Sequence, residues 1–351
     1  MTSVLVVDDS KTMRALIVAS LSRDPELRVI AEAADPLEAR ESVKRFNPDV
    51  ITLDIEMPKM NGLDFLERLM RLRPTPVIVI STLTQRGAEA TVRALELGAV
   101  DCIAKPSARN PEAMDQLIAA VKAAAKVRLQ KRDEWDPDSR AKARPCATTQ
   151  DYRPNNRIVA IGASMGGVEA LAALLATFPE NCAPTVITQH MPALFTRSFA
   201  ERLNQQFKPH VCEATDGAPL LPGRVFIAPG GDAHLEIVGP NTPRCRLQKG
   251  ELMSGHRPSI DALFNSLAQN FPQRSIGVIL TGMGRDGAKG LLALRSAGGE
   301  TIGQDEATSV VYGMPRAAFE IGAVAHQLPL GAIAERLLQM SNALKTGGSC
   351  R

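Results

Sequence analysis

Long apolar runs are missing from this chain of 351 residues. No stretch reaches the roughly 18 residues that a membrane-spanning helix needs. The opening MTSVLVVDDS sets two aspartates where an export signal would continue its apolar core. Membrane insertion and export are therefore not expected, and a cytoplasmic protein is. Cysteine is sparse and scattered: Cys102, Cys146, Cys182, Cys212, Cys245 and Cys350 form no CxxC pair. That argues against a zinc site or a disulfide framework and leaves buried thiols as the expectation. Charge of one sign is also lacking, since the formal net charge is only +3 and no dense Lys/Arg block is interleaved with aromatics. Nucleic acid is accordingly not expected as a partner. Histidine is limited to His190, His210, His234, His256 and His326, so histidine chemistry has few candidates.

What is present describes a soluble globular protein, with 44% hydrophobic and 23% charged residues in a chain long enough for two domains. Residues 127–156, VRLQKRDEWDPDSRAKARPCATTQDYRPNN, mix charges and prolines without a sustained period and read as a linker carrying the only tryptophan, Trp135. On each side, apolar β-rich runs alternate with helix-like stretches. This predicts an α/β protein of two domains, 1–126 and 157–345, each a mostly parallel doubly wound sheet with helices on both faces.

In the first half, VLVVDD stops at Asp8 and Asp9, and DVITLDIEMP delivers Asp54. Strand ends of a doubly wound sheet meet on one edge, so three carboxylates crowd there and call for a hard cation such as Mg²⁺. A carboxylate beside that ion can attack phosphorus to give an acyl phosphate. PVIVIST brings Ser81 and Thr82 to the same edge, and AVDCIAKP brings Lys105: a hydroxyl and an ammonium suited to a phosphoryl group. The alternative for Asp8 and Asp9 is capping of the next helix.

VDDS, LDIEMPKMNG and KP, in this order, resemble the receiver domain of bacterial two-component response regulators. The resemblance implies a flavodoxin-like fold, Asp54 as phosphoacceptor, Mg²⁺ held by Asp8, Asp9 and Asp54, and phosphoryl sensing by Ser81 and Lys105. One departure is Cys102, which stands where receivers usually carry an aromatic switch residue.

In the second half, RIVAIGAS reads as a strand and GGVEALAALLATF as the helix after it, so Ser164 falls on the turn between them. Gly162-Ala163-Ser164-Met165-Gly166 fits the G-x-S-x-G elbow, whose small residues expose a nucleophilic hydroxyl at a sheet edge. The alternative makes Ser164 only a helix N-cap. His190 leaves the end of the apolar run PTVITQH, within reach of the same edge, and SIGVILTGMGRDG supplies Asp286 past a third run. His256 lies outside any strand-like run and His234 opens one, so neither is expected at the active edge. His190 then takes the Ser164 proton during attack on a carbonyl and Asp286 fixes the imidazole tautomer. Backbone N–H groups near Met165 and Met283 are candidate oxyanion donors, each worth about 3 kcal/mol in comparable sites.

GMGRDG, residues 282–287, also satisfies G-x-G-x-x-G, and Asp305 follows at a distance suited to a ribose. Against a dinucleotide site, the motif sits deep in the domain and leaves little chain for a nucleotide fold. A third reading makes the second domain a partner-binding module without catalysis.

IGAS.GG, ITQHMP.LFTRSFAERLN, FIAPGG..H, HRPSID.LF and GVILTGMG.DGA.GL together resemble the catalytic domain of the chemotaxis protein-glutamate methylesterases. That resemblance implies a Rossmann-like domain and hydrolysis of glutamate methyl esters on membrane-bound chemoreceptors. It also implies frequent deamidation of receptor glutamines, no cofactor for the esterase, and a chemotaxis histidine kinase as phosphodonor. Met165 departs from the family's usual threonine, and SVVYGMPRAA around Tyr312–Pro315 matches without an assignable chemistry. The domain order and the linker lead to the expectation that the unphosphorylated receiver packs over the Ser164 edge and that phosphorylation of Asp54 releases it.

Overall fold

The computed structural model describes residues 1–57, 62–82, 84–105, 113–127 and 152–343. Trp135 and most of the expected linker lie outside these residues. The chain forms two compact units.

The first unit alternates β1 (Thr2–Val7), α1 (Lys11–Leu21), β2 (Leu27–Ala33), α2 (Pro36–Phe46) and β3 (Val50–Asp54). It continues with α3 (Gly62–Leu72), β4 (Val77–Ser81), α4 (Gln85–Glu96), β5 (Asp101–Ala104) and α5 (Ala113–Ala124). The strands pair in parallel in the order β2-β1-β3-β4-β5. Every residue of β3 and β4 is buried, as expected for a parallel sheet covered on both faces. Short polar side chains start the helices: Ser10 accepts from Met13 N, Thr84 from Gly87 N, and Asp35 from Leu37 N and Glu38 N ahead of Pro36.

The second unit is built on seven parallel strands: β6 (Ile158–Ala163), β7 (Thr185–Gln189), β8 (His210–Glu213), β9 (Arg224–Ile227), β12 (Ser275–Ile279), β13 (Glu300–Gln304) and β14 (His326–Leu328). Their order is β14-β13-β12-β6-β7-β9-β8. Its helices are α6 (Gly167–Leu175), α7 (Ala193–Gln206), α8 (Ile260–Asn270), α9 (Ala288–Ser296), α10 (Met314–Glu320) and α11 (Leu330–Ser341). The chain runs outward from β6 through β7 and later returns to β12 on the other flank. The strand order therefore reverses between β6 and β12, where α/β sheets open a crevice at their carboxyl ends. The expected α/β class holds for both units.

An antiparallel hairpin, β10 (Ala233–Val238) with β11 (Arg244–Lys249), forms a separate sheet beside the expected mostly parallel one. It is pinned to α8: Ile237 N donates to Ser266 Oγ at 2.9 Å and Asn270 Nδ2 to the Ile237 carbonyl at 3.1 Å. Tyr152 is buried, and its hydroxyl lies 2.8 Å from Ser341 Oγ and accepts from Ala183 N. Pro154 bridges to Asn342.

Candidate active site

Three loops leave neighbouring strand ends at the switch point. Ala163, the last residue of β6, pairs with Gln189 of β7, and His190 N donates to the Ala163 carbonyl at 3.0 Å. Ser164 and His190 thus follow directly on two hydrogen-bonded strands. Ser164 precedes Gly166, which has φ 75°, and α6 begins only at Gly167, so Ser164 lies ahead of the position that would cap the helix. Gly166 suits that turn because a left-handed backbone costs glycine little. On the other flank, Leu280 N donates to the Gly162 carbonyl, tying β12 and the loop that bears Asp286 to the same edge.

Gly162 is also a packing requirement. A Cβ there would lie 2.3 Å from Ile260 Cγ2, and one at Gly287 would lie 2.5 Å from the same atom. Ile260 is therefore wedged between the β6 end and the 280–287 loop, which brings the start of α8 against Asp286.

That start supplies the ligands of the Asp286 carboxylate. Ser259 Oγ donates to Oδ1 at 2.8 Å and Asp261 N to the same oxygen at 3.0 Å. Ile260 N reaches Oδ2 at 2.8 Å, and His190 Nε2 is also 2.8 Å from Oδ2. Burial alone would raise the carboxyl pKa. The hydrogen bond and charge of His190, with Ile260 N and Ser259 Oγ, outweigh it and hold Asp286 below the usual carboxylate range. It is a fixed negative charge at a helix N-terminus.

With Nε2 on Asp286, the other ring nitrogen of His190 is the interesting one: Nδ1 is buried without a hydrogen-bond partner. A neutral ring that donates from Nε2 presents a lone pair at Nδ1, which is what a general base requires.

His256, which sequence reasoning left away from the active edge, belongs here. Its ring stacks on that of His190 with centroids 3.7 Å apart and planes 11° from parallel. Burial first, and then the neighbouring His190 charge, push its pKa down to about 4, so His256 is neutral at physiological pH. The turn that delivers it has left-handed Ser254 (φ 53°) and Gly255 (φ 82°). Ser254 Oγ donates to Asp261 Oδ2 at 2.7 Å, and Asp261 Oδ1 accepts from Gly290 N at 2.7 Å. His234 does stay out of the site. It accepts from Ser259 N at Nδ1 and lies 2.8 Å from the Glu251 carbonyl, a support beneath the Asp286 ligands.

The dinucleotide reading fails on the same geometry. Asp286, inside the glycine turn, is taken up by Ser259, Ile260, Asp261 and His190, and Asp305 is engaged locally by Thr308 N and Thr308 Oγ1. Met165 is buried, whereas Met283 is 37% exposed beside the glycine turn.

The first unit assembles the other predicted residues. Ligand oxygens of Asp8, Asp9 and Asp54 lie within 4.8 Å of one another. Asp8 and Asp54 are buried and Asp9 is exposed. Ser10, not either aspartate, caps α1, and Asp8 Oδ1 accepts from Ser10 N. Lys105 Nζ sits 2.5 Å from Asp54 Oδ2 and 3.2 Å from Asp8 Oδ2. Burial lowers the lysine pKa, but the Asp54 hydrogen bond and both carboxylate charges win and raise it. Asp8 is pushed up by burial, against the pull of Lys105. Its buried Oδ2 faces that ammonium at 3.2 Å. An all-oxygen cluster of three carboxylates, two of them buried, fits a hard divalent cation. Ser81 Oγ makes only long contacts, 3.4 Å each, to the Thr82 and Gly87 carbonyls. Glu56, which the sequence did not single out, accepts a short hydrogen bond from Thr82 Oγ1 and donates N–H to Asp54 Oδ1 at 2.9 Å. Cys102 is buried, its thiol pushed far up by burial and by Asp101.

Comparison with known proteins agrees with both units. Residues 159–337 match the family model for CheB methylesterase, and residues 4–122 match that for the response regulator receiver domain. A protein-glutamate methylesterase/protein-glutamine glutaminase 1 of Caulobacter vibrioides is 57% identical over 97% of this chain and 98% of its own. A protein of the same name from Rhizobium johnstonii is 58% identical over 98% of each chain. The crystal structure of the Thermotoga maritima CheB methylesterase catalytic domain, 39% identical, aligns with a TM-score of 0.51 over 53% of this chain and 99% of its own. With a catalytic-domain model over half its length and full-length relatives at this identity, the chain belongs to the CheB methylesterase family, with a response regulator receiver domain in front.

Proposed function

We propose that the protein is a phosphorylation-activated protein-glutamate methylesterase and protein-glutamine glutaminase of chemoreceptors, working through Ser164, His190 and Asp286. The observation that carries this reading is the His190 imidazole bound through Nε2 to a permanently charged Asp286, with a buried, unpartnered Nδ1 on the strand end beside Ser164.

Neutral His190 accepts the Ser164 Oγ proton at Nδ1 as Oγ attacks the ester carbonyl. Asp286 stabilises the imidazolium that forms. The carbonyl π electrons move onto oxygen, and the backbone N–H groups of Met165 and Met283 meet that oxyanion. Collapse breaks the C–O bond, and the departing methoxide takes the proton from Nδ1 and leaves as methanol. Water then attacks the acyl-serine with His190 again as base, and Ser164 is regenerated with release of the glutamate carboxylate. A glutamine side chain follows the same path with ammonia as the leaving group. His256 remains neutral beside the imidazolium, so it adds no competing positive charge.

In the receiver, residues 1–126, Asp54 is the phosphoacceptor, and Asp8, Asp9 and Asp54 would hold Mg²⁺, which would supply charge neutralisation for the incoming phosphoryl group. Lys105 and Ser81 then pair with that group, Ser81 by turning away from its long contacts with α4. The phosphodonor is a chemotaxis histidine kinase. The unphosphorylated receiver restrains the catalytic domain, which starts at Tyr152, ahead of residue 157, because Tyr152 is buried against α11 and the 181–183 turn.

The test is methanol release from methylated chemoreceptor membranes by the full chain with a small-molecule phosphodonor and Mg²⁺. Ser164→Ala should abolish release, and Asp54→Asn should remove the response to phosphodonor alone. Substantial release by Ser164→Ala would end the esterase reading.

A further inference from the structure

The stretch SVVYGMPRAA had no chemistry assigned from sequence, but its backbone is engaged with the loop that carries Met283. Gly282 N donates to the Val311 carbonyl at 3.0 Å. The Gly282 carbonyl accepts from both Gly313 N at 3.1 Å and Met314 N at 2.8 Å. Tyr312 and Gly282 form an isolated parallel bridge. Beneath this, Thr281 Oγ1 accepts from Val311 N at 2.9 Å, and Thr281 N is held by Gln304 Oε1 at 2.8 Å. Five short bonds thus fix two consecutive residues of the 280–287 loop.

The consequence lies in the next peptide plane. In a trans peptide the carbonyl and the N–H point in opposite directions. The plane whose oxygen is gripped by Gly313 and Met314 is the plane whose hydrogen belongs to Met283. Holding that oxygen on the 311–314 side turns the Met283 N–H away from it. β12 has β13 on one flank and β6, the strand of Ser164, on the other. An oxyanion donor works only if it is aimed before the charge develops.

We propose that residues 311–314 are a clamp that aims the Met283 amide at the oxyanion, and that Gly313 is its positioning residue. The proposal rests on the esterase reading above. Gly313 has φ −106° and ψ −68°, on the right-handed side of the map, so a left-handed backbone does not explain a glycine here. Proximity does: a Cβ at Gly313 would lie 2.7 Å from the Gly282 oxygen, 3.2 Å from Gly284 N and 3.2 Å from Met283 Cα. It would push directly on the plane that carries the donor.

The experiment uses the full chain, phosphorylated, with Gly313→Ala. The expected result is a kcat lower by about 10–100-fold, with KM within about twofold of wild type and the NMR titration of His190 unmoved. Thr281→Val removes the acceptor for Val311 N without adding bulk. It should lower kcat by about 3–10-fold in the same pattern, and it decides the matter if Gly313→Ala does not fold. A wild-type kcat in the folded variant, or a His190 titration that shifts together with kcat and KM, would overturn the clamp. Ser164→Ala, run in parallel, separates the two claims: its retained activity would remove the esterase reading, whereas an inactive Ser164→Ala beside an unimpaired Gly313→Ala removes only the clamp.

Discussion

Asp286→Asn is the sharpest perturbation of the site, because an amide is nearly isosteric with the carboxylate and reverses one hydrogen-bonding end. Each oxygen of Asp286 accepts from one backbone N–H that cannot rotate away, Asp261 N on Oδ1 and Ile260 N on Oδ2. Whichever way the asparagine is turned, its NH₂ confronts a fixed donor and also either Ser259 Oγ or His190 Nε2. A buried donor left unsatisfied costs about 1–3 kcal/mol, and bonds to a charged acceptor are stronger than neutral ones. With the charge also gone, we expect a loss of about 3–5 kcal/mol. At roughly 2–4 °C per kcal/mol for a unit of this size, the catalytic-unit transition should fall by about 6–20 °C. Activity should fall more steeply, about 10³–10⁴-fold, since the charge that stabilises the imidazolium is gone and, with the NH₂ turned toward Nε2, the ring proton moves to Nδ1, which ceases to be the base. The assay pairs methanol release with calorimetry of the full chain, with Ser164→Ala as control: inactive, but melting with wild type. An asparagine variant that melts with wild type, or that keeps more than about a hundredth of its rate, would refute the assigned role of the carboxylate.

Three further outcomes follow, two at His256 and one in the receiver. His256 has a folded pKa of about 4, below the ordinary histidine value near 6.5, so between these values the unfolded chain binds more protons than the folded one. Its contribution is present above pH 6.5 and is lost as pH falls toward 4, up to about 3 kcal/mol. His256→Phe should flatten that slope in pH-dependent melts while keeping the stacked ring. His256→Ala should lower kcat by about tenfold through a less fixed His190 plane. A slope identical in wild type and His256→Phe would show that other groups carry it. In the receiver, Asp8→Asn should weaken Mg²⁺ binding at least about tenfold in calorimetric titration, and unchanged affinity would place the ion away from Asp8 Oδ2.

How much of this was legible in the sequence depends on where each residue gets its partner. Asp54, Lys105, Ser164 and His190 sit at or just past the ends of largely apolar β-rich runs, and in a parallel sheet a run's end fixes the edge on which its last residue emerges. That is local information. Asp286 was found the same way, but its ligands were not. Ser259, Ile260 and Asp261 belong to a helix start readable as such, whereas the anion it binds is decided by Ile260 packing against Gly162 and Gly287, residues remote from it in the chain. His256 escaped for a similar reason: it leaves no strand and reaches His190 only because a turn with two left-handed residues is tied to Asp261. The β10–β11 hairpin was half visible, since DAHLEIV reads as a strand, but the exposed, charge-bearing Arg244–Lys249 partner does not.

The two central aspartates are the same side chain bound in two different ways. Asp286 takes four donors, two of them backbone amides with no freedom to leave, and the result is an anion that cannot be displaced or spent as a nucleophile. Among the described residues Asp54 has one backbone donor, Glu56 N, and on its other oxygen a lysine on a flexible stem. A lysine can follow the charge from carboxylate to phosphoryl oxygen, whereas a peptide N–H cannot. On the roles proposed above, the charge holder takes two main-chain donors, and the phosphoacceptor takes one together with an ammonium that can move with the product.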